Sequence, residues 1–393
     1  MTDRPDYAAY QNEIYLGGLS NQAPEFPVAI AEIERAAKDA MSDEAWGYVA
    51  GAAGAEQTLE ANLDAFRRWR IVPRMLRDVA KRDLSVTLFN TQLDAPVLLA
   101  PVGVQSIVHP DAEAAVARAA ARVGLPFVLS SASSTSMEDV ADAAGDSPRW
   151  YQLYWPNDEE LAVSFMSRAE KSGYEAIVVT LDVPILAWRP RDLQNAFLPF
   201  LKGEGVANYF SDPVFRSALA KSPEEDPQSA VLHWIQVFSD PSRTWEKLSV
   251  LRDNTKLPLL VKGILHPDDA RRAVQAGMDG VVVSNHGGRQ VDGSIAALDA
   301  LGGVVEAIGQ ESTVLFDSGI RTGADALKAL ALGARAVLLG RPYVWGLAVG
   351  GEDGVVQALR SFLADFDLTL ALSGLASVEE VDSSILVEGP TGD

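Results

Sequence analysis

From about residue 94 the chain repeats one pattern: a short apolar run stops at polar or glycine residues, and an alanine-rich amphipathic stretch follows. The runs are APVLLAP (95–101), LPFVLSS (125–131), RWYQLYW (149–155), AIVVTLD (176–182), LPLLVKG (257–263), DGVVVSN (279–285), TVLFDSG (313–319) and AVLLGRP (336–342). Short, nearly unbroken β-rich runs suit strands buried on both faces. The stretches at 111–124, 158–173, 267–277 and 324–334 read as helices. Gly124, Gly173, Gly277 and Gly333 stand where those helices should end, the place where glycine relieves left-handed backbone. Strand–helix alternation implies a parallel sheet, and eight units in series is the number that closes a (β/α)8 TIM barrel. An open doubly wound sheet is the alternative, disfavoured because no glycine-rich turn follows the first run.

Two regions break the repeat. Residues 1–93 read as helices and an extra strand or two that cap the barrel, which itself runs over 94–380 and leaves a C-terminal tail, 381–393. Residues 190–245 interrupt the step from the fourth strand to the fifth. That is far longer than an ordinary connection, so the segment is expected to be a lid or an assembly element. Its SPEEDPQ stretch (222–228) is expected to be disordered, between ordered aromatic flanks.

Composition narrows the function. The 393-residue chain carries a formal charge of −21, which argues against non-specific nucleic-acid binding. An anionic small molecule would need local positive charge against that background, so arginines near strand ends gain weight. The absence of cysteine removes disulfides, thiolate nucleophiles and cysteine metal sites, and no metal site is expected. The N-terminal residues lack the basic-then-apolar order of a signal peptide, VEGPTGD at the other end matches no anchor, and no apolar stretch reaches membrane-spanning length. A cytoplasmic protein without membrane contact is the expectation.

In a barrel of this type, chemistry gathers at the C-terminal ends of the strands. Those ends supply Pro101, Val102 and Gly103, then Ser130, Gln152 with Tyr154, and Thr180 with Asp182. The second half supplies Lys262, Ser284 with His286, Asp317, and Gly340 with Arg341. The last two ends, DSGIRTGAD (317–325) and GRP (340–342), combine glycine with arginine and read as a phosphate nest. His286, one of four histidines, sits at the rim before a glycine pair. With Asp182 available to hold its tautomer, it reads as a general base. His109 and His266 precede Pro-Asp at loop and helix starts, His233 lies in the insertion, and all three read as structural. Arg289 and Arg189 are candidates to grip a substrate carboxylate bidentately, whereas Arg191 reads as a surface ion pair. Tyr48 and Tyr154 could donate hydrogen bonds to substrate. Lys262 has two readings, a Schiff-base lysine of an aldolase-type barrel or a fixed charge beside a reduced cofactor, and spacing does not choose between them.

Taken together, SNHGGRQ (284–290), LVKG (260–263), YQLY (151–154), TLD (180–182), DSGIRTG (317–323) and GRP (340–342) resemble the FMN-dependent L-2-hydroxy-acid oxidising family, over nearly the whole chain and in the expected order. The resemblance implies FMN as cofactor and His286 as base, with Asp182 as its partner. It implies Arg289 and Arg189 as carboxylate clamp and Tyr48 and Tyr154 as substrate tyrosines. Lys262 resembles the lysine that stabilises reduced flavin at N1 and C2=O. Pro101, Val102, Gly103, Ser130, Gln152, Thr180 and Ser284 resemble flavin-ring contacts. Asp317, Gly319, Arg321, Gly340 and Arg341 resemble ribityl and phosphate contacts. Within the family, YQNEIYLGGL, WRPRD, NYFSDPVF and the long insertion are most similar to the lactate 2-monooxygenase branch. That branch implies L-lactate and O2 as reactants, with acetate, CO2 and water as products, and a homotetramer or octamer. A simple oxidase releasing a 2-oxo acid and hydrogen peroxide is the alternative. The glycolate-oxidising members' SSW reads SSA here, and the resemblance implies that Ala132 leaves room for the lactate methyl.

Overall fold

A computed structural model of the chain describes residues 5–389. All eight apolar runs are strands: β1 (Val97–Leu99), β2 (Phe127–Ser130), β3 (Arg149–Tyr154), β4 (Ile177–Thr180), β5 (Leu259–Ile264), β6 (Gly280–Val283), β7 (Thr313–Phe316) and β8 (Ala336–Leu339). Each pairs in parallel with the next, and β8 pairs with β1, so the sheet closes into a (β/α)8 TIM barrel. Gly124, Gly173, Gly277 and Gly333 all take left-handed backbone at helix ends, as the sequence predicts.

Strand parity decides which residues reach the interior, since successive side chains point to opposite faces. Leu98, Val128, Trp150, Val178, Leu260, Val282, Leu315 and Leu338 form one buried cluster inside the barrel. Leu129, Tyr151, Val179, Val261, Val283, Phe316 and Leu339 belong to the larger cluster shared with the surrounding helices. Residues two further along each strand from the inner cluster therefore also face inward. On six strands they are Ser130, Gln152, Thr180, Lys262, Ser284 and Asp317, all buried, and on β1 and β8 they are Ala100 and Gly340. One end of the interior is thus apolar and the other polar.

The apolar end is sealed. An antiparallel hairpin, Val86–Leu88 with Thr91–Leu93, adds Val86, Leu88 and Leu93 to the inner cluster, and Phe89 lies against Trp150. Four helices precede it: Ala9–Gly18, Ile30–Ala40, Asp43–Ala50 and Gln57–Arg68. Near the C-terminus, Leu386–Glu388 pairs antiparallel with Trp69–Ile71; residues 390–393, the end of the VEGPTGD stretch, lie outside the described residues, as do residues 1–4.

The segment between β4 and β5 is folded throughout, through short helices Pro190–Gln194, Ala207–Phe210 and Pro213–Ser217 and the longer Pro227–Val237. Residues 222–228 are a correction to the expected disorder. Glu225 and Asp226 donate backbone N–H groups to the Ser222 carbonyl, Arg216 pairs with Glu224, and the Asp226 carboxylate caps helix Pro227–Val237 through Ser229 N–H. Glu224 and Asp226 are thus the pairing and capping groups of a turn. Asn208 and Asp212 are fully buried. The Asn208 amide bonds Met137 N–H and Ser133 Oγ, and Asp212 takes Arg168 and Ser164. This half of the insertion is therefore fixed to the loop after β2 and the helix after β3.

Candidate active site

His286 follows β6 with a left-handed backbone (φ 58°), and Gly287 and Gly288 continue it. Such a conformation is strained for histidine and needs support. Ser284 Oγ accepts the His286 N–H at 3.0 Å, and Ser318 Oγ accepts the Gly287 N–H at 3.0 Å. The glycines are required sterically as well: a Cβ on Gly288 would lie 2.6 Å from the Leu59 backbone nitrogen. The turn swings the imidazole over the barrel mouth. Nδ1 lies 2.8 Å from Asp182 Oδ1, Nε2 lies 3.4 Å from the Tyr154 hydroxyl, and the two rings stack at 6.4 Å. Asp182 thus fixes the Nδ1–H tautomer and leaves the Nε2 lone pair facing the cleft.

Electrostatics suit a base. Burial lowers the His286 pKa, aided by Lys262 and Arg189 and opposed by Asp182, so the imidazole is neutral near pH 7. Burial works to raise the Asp182 pKa, but Lys262 and His286 hold it below the usual carboxylate range. Lys262 is 4 % exposed. Burial opposes its charge, yet Asp317 (3.4 Å) and Asp182 (3.9 Å) together raise its pKa, and its Nζ also bonds Ser284 Oγ at 2.9 Å. It is an ammonium, so its nitrogen lone pair is unavailable for Schiff-base attack.

Across the mouth stand two guanidiniums. Arg289 donates to the carbonyls of Tyr48 and Gly51 and lies over the Tyr48 ring at 5.0 Å. Arg189 donates to the Arg289 carbonyl at 3.1 Å and to Gln290 Oε1 at 2.8 Å. Among the described residues neither has a carboxylate within ion-pair reach. Burial and then Arg189 push the Arg289 pKa down to about 10, a pressure that a bound anion would relieve. Arg191 pairs with Glu56, and His266 accepts Asp268 N–H at the start of helix Pro267–Gln275, as expected of structural residues.

The mouth opens into a cleft. Its lining includes Tyr48, Pro101, Val102, Gly103, Tyr154, Arg189, Lys262, His286, Arg289, Asp317, Gly319, Arg321, Gly340 and Arg341. Ser130, Gln152, Thr180 and Ser284 lie beneath it, where Ser130 donates to Gln152 and Gln152 to Thr180. Asp182 stands behind His286 rather than on the cleft wall. Ala132 is buried and, like Ser130 and Gln152, lies outside the cleft lining; the Gly103 backbone and the insertion's Gly205 lie close to its carbonyl.

The site fits FMN by its donor set. Arg321 and Arg341 are half-buried on the cleft wall and have no carboxylate in ion-pair reach among the described residues. Arg341 bonds only the carbonyls of Val49, Gly287 and Gly51, and burial, then Arg321 and Arg289, drives its pKa well down. Arg321 lies over the Trp345 ring at 5.0 Å. Two such cations beside Gly319 and Gly340 suit a phosphate. Lys262 and the hydroxyl–amide layer at the other end suit the polar edge of a redox ring.

Sequence reasoning passed over several supporting residues. Asn62 and Asn285 exchange two side-chain bonds, at 2.8 and 2.7 Å, and fasten the His286 turn to helix Gln57–Arg68. Asn62 carries no motif, whereas Asn285 could have been suspected from its place beside His286. Ser318 and Gln290 were also within quoted motifs and were given no role.

Residues 37–388 match the family described as FMN-dependent dehydrogenase. The chain is 42 % identical over 376 residues to an L-lactate oxidase of Lysinibacillus sphaericus, covering 96 % of each chain. It is 41 % identical over 367 residues to human 2-hydroxyacid oxidase 1, covering 92 % of this chain and 97 % of the relative. A crystal structure of mandelate oxidase superposes with a TM-score of 0.82 at 40 % identity, covering 93 % of this chain and all of that one. With a matching barrel, a phosphate-suited cation pair and a histidine–aspartate dyad on one cleft, the chain belongs to the FMN-dependent dehydrogenase family, as an FMN-dependent oxidoreductase of 2-hydroxy acids.

Proposed function

We propose that this enzyme oxidises L-lactate with O2 and acts as a lactate 2-monooxygenase, giving acetate, CO2 and water. The observation that carries the reading is the dyad His286–Asp182 facing two guanidiniums that have no carboxylate partner among the described residues. Arg289 and Arg189 bind the substrate carboxylate, and that grip turns the hydroxyl toward His286 Nε2 and the phenols of Tyr154 and Tyr48. His286 takes the hydroxyl proton, and Asp182 stabilises the imidazolium. Burial raises the pKa of both tyrosines, so they remain hydrogen-bond donors. FMN, if bound, would supply the two-electron redox chemistry: overall it would take the Cα hydrogen and two electrons that the substrate loses as its C=O forms, and O2 would reoxidise it with formation of hydrogen peroxide. Arg321, Arg341, Asp317 and the Gly319 and Gly340 backbones would hold its ribityl phosphate. Pro101 to Gly103 and the Ser130, Gln152, Thr180 and Ser284 layer would support its ring. Lys262 would offset the charge the ring gains.

Two features favour a small substrate and a retained product. Phe200 and Phe238 of the insertion stand against Tyr48 and Tyr154, with ring centroids 6.5 and 5.2 Å apart. Phe200 also stacks on Trp234 at 4.7 Å. An aromatic wall held from below by Asn208 and Asp212 would keep pyruvate beside hydrogen peroxide long enough for one oxygen of peroxide to enter acetate while CO2 departs. The second reading, an oxidase that releases pyruvate and hydrogen peroxide, is favoured by the L-lactate oxidase relatives. Anaerobic addition of L-lactate should bleach the flavin, and aerobic turnover should yield acetate. Free peroxide in one-to-one yield with pyruvate would select the oxidase.

The reading extends to a cytoplasmic homotetramer or octamer. Among the described residues no helix is long and apolar enough to cross a membrane. Ile185, Leu186 and Trp188 are exposed on the loop after β4, as apolar residues at a subunit contact would be in an isolated chain. Light scattering and cell fractionation test these two points.

A further inference from the structure

We propose that Gln290 is a positioning residue that sets the carboxylate clamp in register with the proton-accepting dyad; this rests on the roles proposed above for Arg189, Arg289 and His286. Those groups come from two loops, Asp182 and Arg189 from the one after β4, His286 and Arg289 from the one after β6. Strand β5 stands between, so the barrel ladder does not pair one loop with the other. The Gln290 side chain spans that gap. Its Oε1 accepts from Arg189 Nη2 at 2.8 Å, and its Nε2 donates to the Asp182 carbonyl at 2.6 Å, with the Ile185 carbonyl at 3.4 Å. Guanidinium only donates and a carbonyl only accepts, so a single amide orientation satisfies both.

Within a single chain, the loop between these anchors makes few other contacts. Trp188 is 73 % exposed, and Ile185 and Leu186 are exposed beside it. The Trp188 carbonyl does accept the Gly54 N–H at 3.0 Å, which tethers the loop backbone but not the guanidinium. Arg189 is oriented by two neutral acceptors, Gln290 Oε1 and the Arg289 carbonyl, so its charge stays available to a substrate anion. The residue type is specific. Glutamate would neutralise Arg189 and offer no donor to the Asp182 carbonyl. Asparagine is one methylene shorter, and leucine keeps the bulk but makes neither bond.

The test is a double-mutant cycle on the holoenzyme, read by anaerobic stopped-flow reduction of FMN by L-lactate. Gln290→Leu should raise the half-saturating lactate concentration by about tenfold or more, the scale of a hydrogen bond to a charged group, and alter the rate at saturation less. FMN content and unfolding temperature should stay at wild-type values. In an Arg189→Met background the same change should add little, because the two act as one unit. Additive effects, or activity lost in step with FMN or thermal stability, would overturn the proposal. So would an Arg189→Met enzyme with unchanged half-saturation, since no clamp would remain to be set. If Gln290→Leu fails to fold, Gln290→Asn is read the same way. A wild-type flavin that L-lactate does not reduce would sink the lactate reading instead; the cycle then uses whichever 2-hydroxy acid of a small panel does reduce it.

Discussion

At one end of the barrel Trp150, Val178, Leu260, Val282 and Leu315 are sealed under a hairpin that supplies Leu88. Two residues further along the same strands stand Gln152, Thr180, Lys262, Ser284 and Asp317, open to a cleft or just beneath it. The same strands serve both ends, while the side chains, the connecting loops and the cover differ. The closed end contributes apolar burial. The open end holds a buried lysine between two carboxylates and a base in strained backbone, arrangements that cost stability and serve a ligand. Changes at the two ends should therefore separate stability from chemistry.

The largest effect should come at the open end. His286→Ala is expected to slow flavin reduction by roughly 10²–10⁴-fold, the usual contribution of a positioned base, with FMN still bound. Unchanged stopped-flow reduction would remove His286 from the chemistry. Lys262→Met should cost about 3–5 kcal/mol of unfolding free energy in urea, because Asp317 and Asp182 lose their buried counter-ion. It should also slow reduction, and full activity would count against its proposed role. Leu88→Ala should cost about 2–5 kcal/mol while leaving the reduction rate intact; a comparable kinetic loss would mean that the two ends are not separable.

A subtler contrast is in pH. The base works only when neutral, so activity falls as pH drops through the His286 pKa. Burial lowers that pKa, so the acid limb should lie below the ordinary imidazole value of about 6.5. Asp182 opposes the shift, and Asp182→Asn should move the limb lower still while slowing the reaction. A limb at higher pH in that variant would contradict the assignment. The smallest effect belongs to a second histidine on the same rim. His266 caps an outward helix, and His266→Ala should cost about 0.5–2 kcal/mol of stability with no change in reduction kinetics.

The eight strands were legible because continuous apolar runs and terminal glycines are local signals. The rim residues were legible once the barrel was assumed, because strand ends define the mouth. The lining of the cleft was less so. Ser130, Gln152, Thr180 and Ser284 form a layer beneath it, and Asp182 stands behind His286. Residues 222–228 read as disordered from composition, although two of their three carboxylates, Asp226 and Glu224, serve a helix cap and an arginine.

By itself the sequence determined the alternation of strand and helix, the order of the strands and the types of group at each strand end. These follow from periodicity and local backbone preference. Only the tertiary structure decided which of those groups meet: Asn62 with Asn285, Arg189 with Gln290, Asp182 with His286. Barrel closure brings together residues more than a hundred positions apart, and a hydrogen bond or a pKa shift depends on distance in space, which no local pattern encodes.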